Sequence, residues 1–306
     1  GPLPPPPILA SRAAVLADAE SGALLVTERA HAKLPPGELT RIVTAWVLLR
    51  EESLPSHVPI SRDALAAPGD ALPFREGERV LVEELLFLML QRPGAGSAVA
   101  LAELAAGSEE AFTRLMNLQA EALGAYGSRF ANPHGLDQEG HWSTAHDLAL
   151  FARAAAADAR IAKVLAGSRG QGRRGERGRE RVPINSFLLR EPRAQGAVTS
   201  FTPGSGFSLV AVAAEGGRRL LVVLVGAPSG EERLRDAKAL LDYGFAHYER
   251  LLEAPRIDRV PYRVRPGDTL SGLARRFDVP IAAIRALNGL GDPDQLTEGQ
   301  SLWIPR

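Results

Sequence analysis

The chain has no cysteine, so its 306 residues hold no disulfide frame, no thiol nucleophile and no thiolate metal site. That absence is compatible with an oxidising compartment. An excess of one charge is also missing. Lys plus Arg number 36 and Asp plus Glu number 36, so no global field recruits nucleic acid or a membrane surface. Long apolar runs are lacking too: Leu85–Leu90 and Leu220–Val225 are the best, well short of the roughly 18 residues that a spanning helix needs. The chain does not open with a basic stretch and an apolar run, so its start is not a signal peptide. Gly1-Pro2-Leu3 reads as a cleavage scar and Pro4 to Pro7 as a proline linker, which suggests a trimmed export signal or lipid anchor.

What is present is enough for a core. Apolar residues make up 45% of the chain, and the length suits one domain of about 250 residues and one small one. Residues 13–19 and 23–27 read as short strands joined at Ser21-Gly22. Helix signals follow at 38–50, 81–90, 97–106, 108–123 and 144–156, with Ser108 as an N-cap and Glu109-Glu110 at the positive end of the dipole. Strands return at 206–214 and 219–226, and a charged amphipathic helix at 229–252 closes the domain. Strands at both ends with helices between them predict an α+β fold, a mixed sheet covered by helices. The boundaries are then 1–9 for scar and linker, 10–253 for the large domain, 254–261 for a linker (Pro255 to Pro261) and 262–306 for a small one.

The small domain reads as strand, helix, helix, strand. Tyr262-Arg263-Val264-Arg265 alternates, Pro266-Gly267 turns the chain, and Asp268 or Thr269 can cap a helix. Leu270, Leu273, Ala274 and Phe277 form one apolar stripe, and Ile281, Ile284 and Leu287 a second. Asn288-Gly289 ends the second helix, and Ser301-Leu302-Trp303-Ile304 closes the fold. This order, with Tyr262-x-Val264, Gly267-Asp268-Thr269-Leu270 and Asn288-x-Leu290, resembles a LysM domain. The resemblance implies a βααβ module that binds N-acetylglucosamine-containing glycan in a shallow groove between two loops. Those loops map onto Gly267, Asp268, Thr269 and Leu270, and onto Asn288, Gly289 and Leu290 with Asp294 and Leu296. Exposed leucines are expected to cover the sugar faces.

Several segments of the large domain, over about residues 10–252, resemble the D-alanyl-D-alanine carboxypeptidases, the low-molecular-mass penicillin-binding proteins. They are Ala17-Asp18-Ala19-Glu20-Ser21-Gly22, Leu34-Pro35-Pro36 with Leu39-Thr40-Arg41-Ile42-Val43-Thr44-Ala45, Phe130 to Asp137, and His141 to Ala149. The resemblance implies a β-lactamase/transpeptidase-like fold. It also implies three motifs, and this chain departs from each. The S-x-x-K positions read Glu38 and Arg41, the S-x-N region falls near Arg92-Pro93-Gly94, and the K-T-G positions read Val198, Thr199 and Ser200. Serine acylation needs a hydroxyl and a group able to take its proton near neutral pH. Arginine stays protonated and cannot be that base. Glu38 is expected to be a carboxylate, lowered further by a helix N-terminus and by Arg41 at i+3, the pair filling the old pocket. The expectation is therefore a pseudoenzyme without catalytic residues. The rival is an active carboxypeptidase or other wall hydrolase that uses Glu38 as general acid or base.

Other candidates carry less. His134, His141 and His146 lie near Asp137 and Asp147, but without the i, i+4 pairing of a helical metal site, so no metal or cofactor is expected. Asp147 is expected to support the start of the 144–156 helix. Gly167 to Arg181 is an Arg-rich, glycine-interrupted stretch, read as a solvated loop with no aromatic for base stacking. Taken together, the expected function is a wall-bound scaffold or regulator, periplasmic or extracellular. Its expected partners are peptidoglycan and a cell-wall hydrolase or synthase, and nucleic acid is not among them.

Overall fold

In a computed structural model the chain forms two compact units, Gly1–Leu252 and Glu253–Arg306. The structure describes residues 3–305 apart from 52–53, 70, 93, 168–184, 254–258, 278, 289 and 291–295. Most of the Arg-rich stretch therefore lies outside the described residues.

The large unit opens with the expected hairpin, β1 (Ala13–Asp18) and β2 (Leu24–Glu28). A 3-10 turn at Gly37–Leu39 leads into α1 (Thr40–Leu48). Then come β3 (His57–Pro59), α2 (Arg62–Ala66), β4 (Arg79–Leu81), α3 (Val82–Gln91), α4 (Gly96–Ala106) and α5 (Glu109–Leu123). Ser108 caps α5 by accepting from Ala111 N. After a long loop, α6 (Ala145–Ala156), α7 (Ala159–Leu165) and α8 (Ser186–Arg190) precede three long strands, β5 (Ala194–Thr202), β6 (Gly206–Glu215) and β7 (Arg218–Ala227). The expected 229–252 helix is two helices, α9 (Gly230–Ala246) and α10 (Tyr248–Glu253), divided at His247. The break lets Tyr248 turn back onto the hairpin, where its hydroxyl donates to Asp18 Oδ2 at 2.7 Å.

Five strands form one antiparallel sheet in the order β2-β1-β7-β6-β5. Its two faces are apolar in alternation, as a period of two requires. Val15, Val210, Val212, Leu221, Val223 and Val225 join the core with α1 and α3 to α7. Leu16, Leu209, Ala211, Leu220, Val222 and Leu224 pack with α8 and α9 on the other side. This explains the unbroken run Leu220–Val225: β7 is covered on both faces, so neither set of side chains has to be polar.

The small unit pairs β8 (Arg259–Arg263) antiparallel with β9 (Ser301–Pro305), with α11 (Leu270–Phe277) and α12 (Ile281–Asn288) between them. The strand starts three residues before the expected Tyr262, inside the expected linker. Pro261 is tolerated because this two-stranded sheet leaves each strand an unpaired edge. Val264, Leu270, Leu273, Ala274, Ile284, Leu302 and Ile304 form its core.

Candidate functional site

Five of the six motif positions in the large unit border a single cleft of about 270 Å³: Glu38, Arg41, Val198, Thr199 and Ser200. Met89 to Arg92, Asn185, Phe201, Phe207 and Arg233 complete its walls. Gly94 is not among the lining residues. It stands in a positive-φ turn directly beneath Gly69.

Glu38 lies in the 3-10 turn ahead of α1, not in the first turn of the helix itself. That turn is set by close backbone approach. Gly37 has φ +57°, and an added Cβ would sit 2.6 Å from Ser200 Oγ and 2.5 Å from Ser205 Oγ. A Cβ on Gly135 (φ +84°) would sit 2.1 Å from Gly37 O, so the 130–137 loop lies directly on the turn. Only glycine allows both contacts.

Arg41 is 3% exposed and each of its three guanidinium nitrogens donates a hydrogen bond. Nε donates to His134 O at 3.0 Å, and Nη1 donates to Arg92 O at 2.8 Å and to Met89 O at 3.2 Å. Nη2 donates to Glu38 Oε1. The cation thus ties the 130–137 loop and the C-terminal end of α3 to α1, and it faces the negative end of the α3 dipole. Arginine is the residue for this task, because its planar fork serves several acceptors at once.

The Glu38 carboxyl departs from expectation. Burial pushes it above the usual carboxylate range, and the lowering effects of Arg41 and of hydrogen bonds from Phe201 N–H and Arg41 do not compensate fully. The sequence reading weighed the dipole and the i+3 cation but not desolvation, which dominates here. Burial also lowers the affinity of Arg41 for its proton, against the pull of Glu38.

The hydrogen bonds bear directly on chemistry. Acyl transfer needs free N–H donors where an oxyanion would develop beside the nucleophile position. Glu38 N–H donates to Ser200 Oγ at 2.8 Å. That donor is taken by one of the chain's own side chains. Val198 is 2% exposed and apolar, so this position offers no cation.

Arg233 was not singled out in the sequence. It is 8% exposed, its Nη1 lies 3.4 Å from Ser200 O and 3.3 Å from Ser208 O, and its ring neighbour is Phe207. Burial alone lowers its pKa, and among the described residues no carboxylate pairs with it. A signal existed: a basic residue in the first turns of α9, after Glu231 and Glu232, sits at the wrong end of the dipole. Gln91, another cleft residue, also passed unnoticed at the end of the apolar run of α3.

The histidine and aspartate candidates go to separate tasks. His141 Nδ1 accepts from Ala131 N–H at 2.9 Å, so Nε2 carries the hydrogen and donates to Thr40 Oγ1, which donates to Gly37 O. Asp137 accepts from Thr202 Oγ1 and Gly204 N, and Asp147 accepts from Ser128 Oγ while His146 Nδ1 lies 3.0 Å away. Thr144 caps α6 by accepting from Asp147 N, and Asp147 lies in the first turn of that helix, as expected. Burial holds the His141 imidazole down at about 4. A base depressed in the folded state loses stability as pH falls from its ordinary value to the folded one. Between pH 6.5 and about 4 the wild type should lose about 3 kcal/mol through this group. Denaturant titrations of wild type and His141→Asn across that range check this: the variant should lack that part of the slope.

In the small unit the expected groove residues divide. Gly267 is exposed at φ +81°, and Thr269 Oγ1 accepts from Gly272 N to cap α11. Asp268 accepts from Tyr262 Oη at 2.6 Å and Arg265 N at 2.7 Å, so its carboxylate holds the turn. Leu270 is 3% exposed and belongs to the core, which corrects its assignment as a sugar-covering side chain; it heads the inward stripe of α11. Leu290 and Leu296 are half-buried against that core, while Gly289 and Asp294 lie outside the described residues. The Asn288 carboxamide is wholly engaged: Oδ1 accepts from Trp303 N, and Nδ2 donates to Trp303 O and Ile284 O, at 2.6–2.7 Å. Asn288→Ala should therefore destabilise this unit by about 2–3 kcal/mol, read from its thermal transition in the full chain.

Comparison with known proteins agrees with this division. The D-alanyl-D-alanine carboxypeptidase family matches residues 3–229, and the LysM domain matches residues 262–305. The chain is 33% identical over 276 residues to D-alanyl-D-alanine carboxypeptidase DacC of Escherichia coli, covering 86% of this chain and 68% of that one. It is 29% identical over 251 residues to DacF of Bacillus subtilis, covering 78% and 63%. It thus spans about two thirds of the length of these relatives. Among solved structures, the D-alanyl-D-alanine carboxypeptidase from Mycobacterium tuberculosis matches with a TM-score of 0.72 at 29% identity, over 80% of this chain and 94% of that one. The Streptomyces K15 DD-transpeptidase, at 23% identity and a TM-score of 0.70, shares the fold.

Proposed function

We propose that this chain, which belongs to the D-alanyl-D-alanine carboxypeptidase family and ends in a LysM domain, is a non-catalytic cell-wall protein, a scaffold or regulator that retains the family's cleft without its acyl transfer. One observation carries the reading: Glu38 N–H and Ser200 Oγ satisfy each other, so a donor that a developing oxyanion would need is already occupied. Beside them, the cation at the lysine position is locked onto three backbone carbonyls and cannot accept a proton. Without a hydroxyl at position 38 or a base to activate one, and with the Glu38 N–H occupied, neither a peptide nor a lactam is opened.

The cleft still suits a ligand. Glu38 and Arg41 compensate each other, which leaves Arg92 and Arg233 as cations on its walls. That surplus fits the carboxyl end of a wall stem peptide, held without being cut. The raised Glu38 carboxyl would suit a general acid, but it is already held by the Arg41 guanidinium, which opposes hydrolysis through Glu38.

The LysM domain supplies the attachment to peptidoglycan, through the backbone at Gly267 to Thr269 and the half-buried Leu290 and Leu296. An extracytoplasmic location, periplasmic or extracellular, follows from that substrate. Incubation with a fluorescent penicillin and with D-Ala-D-Ala peptides tests the central claim; labelling or alanine release would sink it. A pull-down with residues 262–306 deleted separates the roles. A wall hydrolase or synthase still captured supports a scaffold, and loss of every partner leaves only an anchor.

A further inference from the structure

Two buried polar atoms on the cleft wall have no hydrogen-bond partner among the described residues, Gln91 Oε1 and Arg233 Nε. Gln91 is the last residue of α3 and is 7% exposed. Its amide nitrogen is fixed by two carbonyls, donating to Val164 O at 3.1 Å and Ala197 O at 3.3 Å. With the nitrogen held, the oxygen is presented as an acceptor with no donor. A buried carbonyl left in that state is costly, and native interiors rarely keep one without a ligand or water to satisfy it.

We infer that Gln91 is a specificity-determining residue of the cleft, whose Oε1 accepts the amide N–H of a bound peptide. The inference rests on the reading that the cleft holds stem peptides. The walls already favour an anionic end through Arg92 and Arg233. A carboxyl-terminal dipeptide unit offers a carboxylate and, on the same terminal residue, the N–H of the amide that joins it to the residue before. A carboxylate at position 91 would accept that N–H equally well but would repel the ligand's anion. A carboxamide oxygen, itself uncharged, accepts without repelling, and an apolar side chain could not accept at all.

Isothermal titration of the full chain with diacetyl-L-Lys-D-Ala-D-Ala and with its D-Ala-D-lactate counterpart tests this, because the ester differs only in lacking that N–H. The wild type should bind the amide about ten-fold more tightly than the ester, and Gln91→Met should reduce the ratio to about two or less. Equal binding of both ligands by the wild type overturns the role of Gln91 while leaving peptide binding intact. Binding of neither ligand overturns the cleft reading and this inference together. A melting curve checks that Gln91→Met folds; if it does not, the wild-type ratio decides alone.

Discussion

Arg41→Ala should cost the fold about 3–5 kcal/mol, the range seen when one partner of a buried ion pair is removed. The loss has two sources. The Glu38 carboxyl would stay buried without its cation, and the carbonyls of Met89, Arg92 and His134 would each lose a donor. Arg41→Lys should recover only part of it, because an ammonium cannot present a planar fork to acceptors from two segments. Denaturant midpoints of the three proteins at neutral pH measure the series. A change within about 0.5 kcal/mol for Arg41→Ala would mean that the cation stabilises nothing. Glu38→Gln keeps a neutral acceptor for Arg41, so it should be the mildest change at this pair.

The second large effect is on reactivity. Glu38→Ser places a hydroxyl at this position and removes the carboxylate held by Arg41, yet it should give no penicillin adduct, because Arg41 still cannot take a proton. Glu38→Ser with Arg41→Lys supplies the base. Labelling by fluorescent penicillin should then rise about 10²–10⁴-fold above the single variant, the range for a positioned general base. Intact-mass spectrometry distinguishes a covalent adduct from retained ligand. Strong labelling of Glu38→Ser alone would show that another base serves the cleft and that the proton argument is wrong.

Much of the fold was legible. The hairpin, the helices from 82 to 156, the two long apolar strands and the order of the small unit all rest on local periodicity and caps, which sequence carries well. β5 was not read as a strand from its residues. Ala194–Thr202 opens on Ala, Gln, Gly and Ala, and its strand formers Val198, Thr199, Phe201 and Thr202 come only in its second half, so pairing with β6 completes what the local signal leaves weak. Glu38 was misjudged in direction because burial comes from the 130–137 loop and β5, about a hundred and more residues away. For the same reason the carbonyls that hold Arg41 could not be seen, lying 48, 51 and 93 positions along the chain. Leu270 and Asn288 look like groove residues by motif, yet one is core and the other a clasp for β9. A motif marks which residues recur but not whether they face the ligand or the fold.

The clasp made by Arg41 also shapes how this protein can change over evolutionary time. Exchanging Glu38 first leaves a buried guanidinium without its counter-ion, and exchanging Arg41 first leaves carbonyls and a carboxyl stranded. On the proposed non-catalytic reading, each single step toward acylation therefore crosses a weakened and unreactive form. On that reading the landscape behaves as a ratchet, in which the family's chemistry is reached only by simultaneous changes at both positions.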